Sequence, residues 1–120
     1  MITEKEKIVT QYITDDGEIF YDEMEAKHHE EYLIKNKINE RVIKIEPYKI
    51  YKINNKFEFE IFKNINTGSA SVLYFSENDI KSFPVYITEE TCDYYFYEYR
   101  LLTDVVDYHK VILEKISKLI

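Results

Sequence analysis

The chain is predicted to fold as an α+β domain: an antiparallel β-sheet of about five strands, an N-terminal helix over about 22–37 and a long C-terminal helix over about 89–118. Three observations predict it. Short runs rich in Ile, Val, Phe and Tyr alternate with polar residues and stop at turn signals. An apolar stripe near the C-terminus recurs at spacings of three and four residues. Only two glycines and two prolines interrupt 120 residues, so regular elements should be dense and loops short.

Residues 7–14 are rich in β-branched side chains and read as a strand. Asp15-Asp16-Gly17 is a turn signal, and residues 18–20 return as a short second strand. Asp22 is placed to cap the N-terminal helix, with Glu23 and Glu25 near its positive end. Met24, Ala26, His29, Leu33 and Ile38 mark its inner side. Residues 41–53 alternate around Pro47, which removes a ladder donor and implies two strands or one bent edge strand. After a turn at Asn54-Asn55-Lys56, Phe57, Phe59 and Ile61 alternate with Glu58 and Glu60, which predicts another strand. A turn at 64–68 and a strand over 69–75 complete an expected antiparallel meander.

Ser76 is placed to cap a single helical turn, and residues 84–87 read as extended. Thr88, followed by Glu89 and Glu90, resembles a helix start. Leu102, Val105, His109, Ile112, Ile116 and Leu119 then form a stripe of helical period, widened by Val106, Leu113 and Ile120. The alternative for residues 94–99 is a strand, because aromatic side chains have high β-propensity.

One domain, 1–120, is expected at this length. A hydrophobic fraction of 45% is enough for one core, and no run approaches the ~20 apolar residues of a membrane span. MITEKEKIVT is charged and lacks the apolar centre of a signal peptide, and the single cysteine, Cys92, precludes an internal disulfide. A cytoplasmic location is the expectation that follows. The net charge of −7 is uneven: residues 15–31 hold eight acids and one lysine, whereas residues 41–63 hold six basic residues and three acids. Residues 77–107 return to eight acids and two basic residues. Overall acidity opposes binding to nucleic acid and suits a partner with a basic surface.

Spacings that carry catalysis are lacking. His28 and His29 point about 100° apart on a helix, so they do not share a metal, and no paired-cysteine or His-Glu-x-x-His pattern occurs. Cys92 and His109 stand seventeen residues apart, ~25 Å on one continuous helix, and Glu89, Glu90 and Asp93 oppose thiolate formation. No catalytic residue, metal or cofactor is therefore expected. Tyr48-Lys49-Ile50-Tyr51-Lys52 interleaves rings with charge as single-strand-binding sheets do. Yet Glu46, Glu58 and Glu60 share the region, no RNP-type glycine-aromatic pattern occurs, and lysines on an exposed sheet face are the commoner source of such a run.

Five of the six residues from Tyr94 to Tyr99 are aromatic, more than one face of a helix or strand can take. Tyr94, Tyr95, Tyr97 and Tyr99, together with Asp15, Asp16, Glu30 and Glu31, are the expected partner-binding residues. Leu102, Val105, His109, Ile112, Ile116 and Leu119 are the expected oligomer interface. A stacking pocket for a planar phosphate ligand, with Arg100 on the phosphate, is the alternative use of the rings; it would make the chain an oligomeric sponge for a signalling nucleotide. A small nucleic-acid-binding accessory protein is a further alternative.

Residues 12–33, YITDDGEIFYDEMEAKHHEEYL, carry Asp16-Gly17, Phe20, Ala26 and His29-Glu30 in a pattern that resembles a segment of small bacteriophage accessory proteins. It covers about a fifth of the chain. Lysine outnumbers arginine 14 to 2, as AT-rich coding produces. The resemblance implies a phage origin and a protein that binds and redirects a host protein. Anti-defence inhibitors, including anti-CRISPR proteins, are one class of these. On this reading the chain is a non-enzymatic inhibitor of a host protein, such as a defence or CRISPR effector.

Overall fold

In the computed structural model, which describes residues 9–66, 70–92 and 96–120, the chain is α+β and divides into two units, Met1–Ile34 and Lys35–Ile120. In the first unit, β1 (Tyr12–Ile13) and β2 (Ile19–Phe20) pair antiparallel around the expected turn. Gly17 sits there at φ +83°, a conformation that costs other residues dearly, and its N–H donates to the Thr14 carbonyl at 2.9 Å. Helix α1 (Glu23–Glu40) follows, and the division between units falls within it. Asp22 caps it by accepting the Met24 N–H at 2.9 Å. Ala26 and Ile38 are buried as expected, whereas Met24 is exposed.

The second unit is built on a sheet ordered β3-β4-β6-β7-β5. Strands β3 (Ile43–Ile45) and β4 (Tyr48–Ile53) flank Glu46-Pro47 as an antiparallel hairpin, the two-strand form of the Pro47 expectation. Strands β6 (Val85–Cys92) and β7 (Phe96–Leu101) continue the antiparallel run. The short β5 (Ser71–Leu73) pairs parallel to β7, so the sheet is mixed and the expected meander is not formed.

Two assignments are corrected. Residues 56–66 form helix α2 (Lys56–Asn66), where a strand was expected. Alternation holds only to Ile61; on a strand, Phe62 would fall on the side of Glu58 and Glu60, whereas a helix aligns Phe59 with Phe62. Asn55 and Glu58 decide the outcome by reciprocal capping. The Asn55 side chain accepts the Glu58 N–H at 2.8 Å, and the Glu58 carboxylate accepts the Asn54 N–H at 3.0 Å. The long helix over 89–118 is the second correction: helix α3 spans only Leu102–Ser117, and β6 and β7 occupy the residues before it. Thr88-Glu89-Glu90 imitates a helix start, but those residues continue a strand that begins at Val85. A short 3₁₀ turn, Glu77–Asp79, begins after Ser76 as expected, with the Asp79 carboxylate accepting the Ser76 N–H at 2.7 Å and the Ser76 hydroxyl at 3.2 Å.

Strand register sorts the side chains. Tyr48, Ile50, Thr88, Glu90, Glu98 and Arg100 share one face; Tyr51, Ile53, Ile87, Glu89, Tyr99 and Leu101 share the other. Helix α2 covers the second face, with the Phe62 ring 5.1 Å from Tyr51 and 5.5 Å from Tyr99. Phe59 and Phe62 are each 1% exposed and anchor this core, each stabilising it by roughly 1.5–3 kcal/mol through burial. Helix α3 lies on the first face, with Val105 buried. No helix among the described residues is long and apolar enough to cross a membrane.

Candidate functional site

The face beneath α3 holds a groove of about 690 Å³. Strand alternation brings Tyr48, Glu90, Glu98 and Arg100 to its floor, and α3 contributes Asp104, Tyr108 and His109 to its wall. The Tyr48 hydroxyl and His109 Nε2 are hydrogen-bonded at 3.0 Å, with the two rings edge to face. Arg100 donates from Nη1 to Glu98 Oε2 at 2.7 Å, and its guanidinium carbon lies 4.2 Å from the centre of the Tyr74 ring. Tyr74 donates in turn to the other Glu98 oxygen at 3.3 Å. The Arg100 guanidinium holds the Glu98 carboxyl below the usual carboxylate range, against a smaller opposing effect of burial. Burial, then the neighbouring Glu90 carboxylate, raises the Tyr48 phenol.

The charge pattern of the groove is its main chemical feature. Among the described residues it carries three carboxylates against one arginine, and that arginine is already paired with Glu98. Glu90 and Asp104 have neither an ion pair nor a side-chain hydrogen bond among the described residues. Unpaired carboxylates beside tyrosine rings form a surface that attracts cations by charge and by ring quadrupole together.

A second cavity, about 400 Å³, opens on the α2 face. Glu89 lies there, 7% exposed, with the hydroxyls of Tyr51 and Tyr99 donating to one of its oxygens. Burial, reinforced by Glu89, pushes both phenols well above their ordinary value.

In the first unit the β1–β2 turn meets α1 through His29. Its Nε2 lies 2.7 Å from Asp16 Oδ2 and 3.1 Å from Glu18 Oε2. Thr14 and then His29 hydrogen-bond the Asp16 carboxylate and lower its pKa to about 2, while Asp16 raises that of His29. One imidazole and two carboxylates, with ligand atoms within 4.8 Å of one another, are chemically able to hold a divalent cation. Glu30 accepts the Asp15 N–H at 2.7 Å, which pins the same turn to the helix.

No protein-family model, no curated protein and no solved structure matches this chain.

The expected partner-binding residues are thus dispersed. Asp15, Asp16, Glu30 and Glu31 belong to the first unit, and Asp16 and Glu30 are engaged in the turn-to-helix bonds above. Tyr94 and Tyr95 lie outside the described residues. Tyr97 is exposed, but Tyr99 is only 2% exposed and is corrected to a core residue, because strand alternation turns it under α2. Within the expected oligomer stripe, Val105 is likewise corrected to the core, and Leu102 and Ile112 are half-buried. His109, Ile116 and Leu119 are exposed. Cys92 and His109 fall on a strand and on α3, and the thiol is raised first by burial and then by Glu98. Sequence reasoning missed Tyr74, Tyr108, Glu90, Glu98 and Asp104 as one group, since they come from elements that only the sheet brings together. The alternation of Tyr48 with Tyr51 did carry a signal: three residues apart on a strand, they serve opposite faces.

Proposed function

We propose that this chain is a non-enzymatic protein-binding module that holds a basic segment of a partner protein in the groove beside α3. One observation carries the reading: Glu90 and Asp104 stand unpaired beside the rings of Tyr48 and Tyr108. Arginine and lysine side chains satisfy both features, and long-range attraction to the acidic chain would speed their arrival. The raised Cys92 thiol supports a non-catalytic role, since thiolate is the reactive form. The phage-like segment at 12–33 supports a host protein as the partner and inhibition of a host defence or CRISPR effector in the host cytoplasm as the outcome.

The test is titration with an arginine-rich peptide and with its glutamate counterpart. Saturable binding of the basic peptide alone is expected, weakening as salt rises. Glu90→Gln with Asp104→Asn should cost about tenfold in affinity, equivalent to about 1.4 kcal/mol. Equal binding of both peptides, or an unaffected double variant, would overturn the proposal.

A nucleotide ligand is the second reading, favoured by the guanidinium of Arg100 stacked on Tyr74 within the same groove. Its three carboxylates oppose phosphate, and thermal-shift measurements against cyclic and linear nucleotides separate the two readings.

Pairing of two copies through α3 belongs to the same proposal. Leu113, Ile116 and Leu119 are 64%, 47% and 86% exposed along it. Asp104 and Asp107 occupy its first half, and Lys110, Lys115 and Lys118 outnumber Glu114 in its second half or end, so two antiparallel copies set a net acidic half opposite a net basic one.

A further inference from the structure

Glu89 is a buried carboxylate only half accounted for by its neighbours. Both of its described hydrogen bonds end on Oε2, from the Tyr99 hydroxyl at 2.7 Å and the Tyr51 hydroxyl at 3.1 Å. Oε1 accepts no hydrogen bond from any described residue; its described ion-pair partner is Lys49 Nζ at 3.9 Å, longer than a hydrogen bond, on a side chain that is 49% exposed. Oε1 is not among the side-chain atoms sealed from solvent without a partner, so this oxygen keeps access to the cavity and can accept a donor that enters it. The residue also lines the 400 Å³ cavity, together with Lys49, Tyr51, Tyr97, Tyr99, Asn66 and Ser71. A carboxylate oxygen open to a cavity attracts a compact cation, and a charge-assisted hydrogen bond holds it there.

The geometry points to this cavity as a binding site for a primary ammonium group, such as a small alkylamine or a lysine side chain, with Glu89 Oε1 as its anion. The class follows from how the carboxylate is engaged. With Oε2 occupied by two phenols, only one oxygen is available, which matches the compact charge of an ammonium. It does not match the fork of a guanidinium or the paired donors of a nucleobase edge, which need both oxygens. Lys49 already holds its own ammonium near Oε1, and its exposure lets it swing away when a ligand enters. This site is distinct from the basic-segment groove, since register sets Glu89 and Glu90 on opposite faces of the sheet.

The experiment is an amide-detected NMR titration of the full chain with n-butylammonium chloride, with n-butanol and n-butylguanidinium as controls. Saturable shifts at Ser71, Asn66 and Tyr97 are expected with butylammonium at up to ~10 mM, with weaker binding of butylguanidinium and none of butanol. Glu89→Gln keeps an amide oxygen for both tyrosines and should abolish the binding. Lys49→Ala removes the internal competitor and should tighten it several-fold. Equal responses to butanol and butylammonium, persistence in Glu89→Gln, or loss rather than gain in Lys49→Ala would each overturn the assignment. Binding of the arginine-rich peptide to the other face should survive Glu89→Gln, so the two proposals fail independently.

Discussion

Tyr48 and His109 stand 61 residues apart in the chain, yet the tyrosine hydroxyl and His109 Nε2 lie 3.0 Å apart. This bond ties the start of β4 to the middle of α3 across the mouth of the groove. A double-mutant cycle of Tyr48→Phe and His109→Ala, read by urea unfolding, should give a coupling of about 0.5–1.5 kcal/mol. Additive single variants would mean that the pair does not hold the helix.

The cap of α2 gives a second prediction. Asn55→Ala removes the acceptor for the Glu58 N–H and should cost about 1 kcal/mol in denaturant unfolding. Glu58→Ala should cost more, roughly 1.5–3 kcal/mol, because the same carboxylate also pairs with Arg41. Arg41 Nε is already buried without an acceptor, so the variant leaves that guanidinium unpartnered. The reverse ranking of the two variants would contradict the capping account.

The His29 clasp should respond to pH from both sides. Asp16 has its pKa lowered from 3.8 to about 2, so its contribution is present above 3.8 and is lost as pH falls towards 2. His29 is raised above 6.5, so its contribution is full below 6.5 and is lost as pH rises through the higher folded value. The clasp is therefore tightest between about pH 4 and 6.5. In an NMR titration the His29 ring should show a midpoint above 6.5, and Asp16→Asn should return it towards that value. An unshifted midpoint in the unaltered chain would remove the ion pair from this account.

Self-association through α3 predicts a light-scattering mass of twice the 14.6 kDa chain at micromolar concentration. Leu113→Glu combined with Ile116→Glu places charge on the exposed apolar side and should yield monomer with unchanged circular dichroism. A single-chain mass for the unaltered protein would refute the pairing.

The sequence alone determined the elements that local chemistry controls. Asp16-Gly17 forces a turn through a positive φ, Asp22 caps α1, Pro47 separates two strands, and the stripe from Leu102 imposes a helical period. These signals act within a few residues, so no distant contact can reverse them cheaply. Only the tertiary structure decided the rest. Phe57-Glu58-Phe59-Glu60-Ile61 satisfies a strand pattern, but the capped helix also buries Phe62 against Tyr51 and Tyr99. Glu89 breaks apolar alternation in β6 and so disguises a strand, because its inward position becomes tolerable only when two tyrosines from neighbouring strands bond it. The groove beside α3 was illegible for the same reason. Its charges and rings come from β4, β6, β7, α3 and Tyr74 just after β5, and their separation is set by sheet register rather than by spacing along the chain.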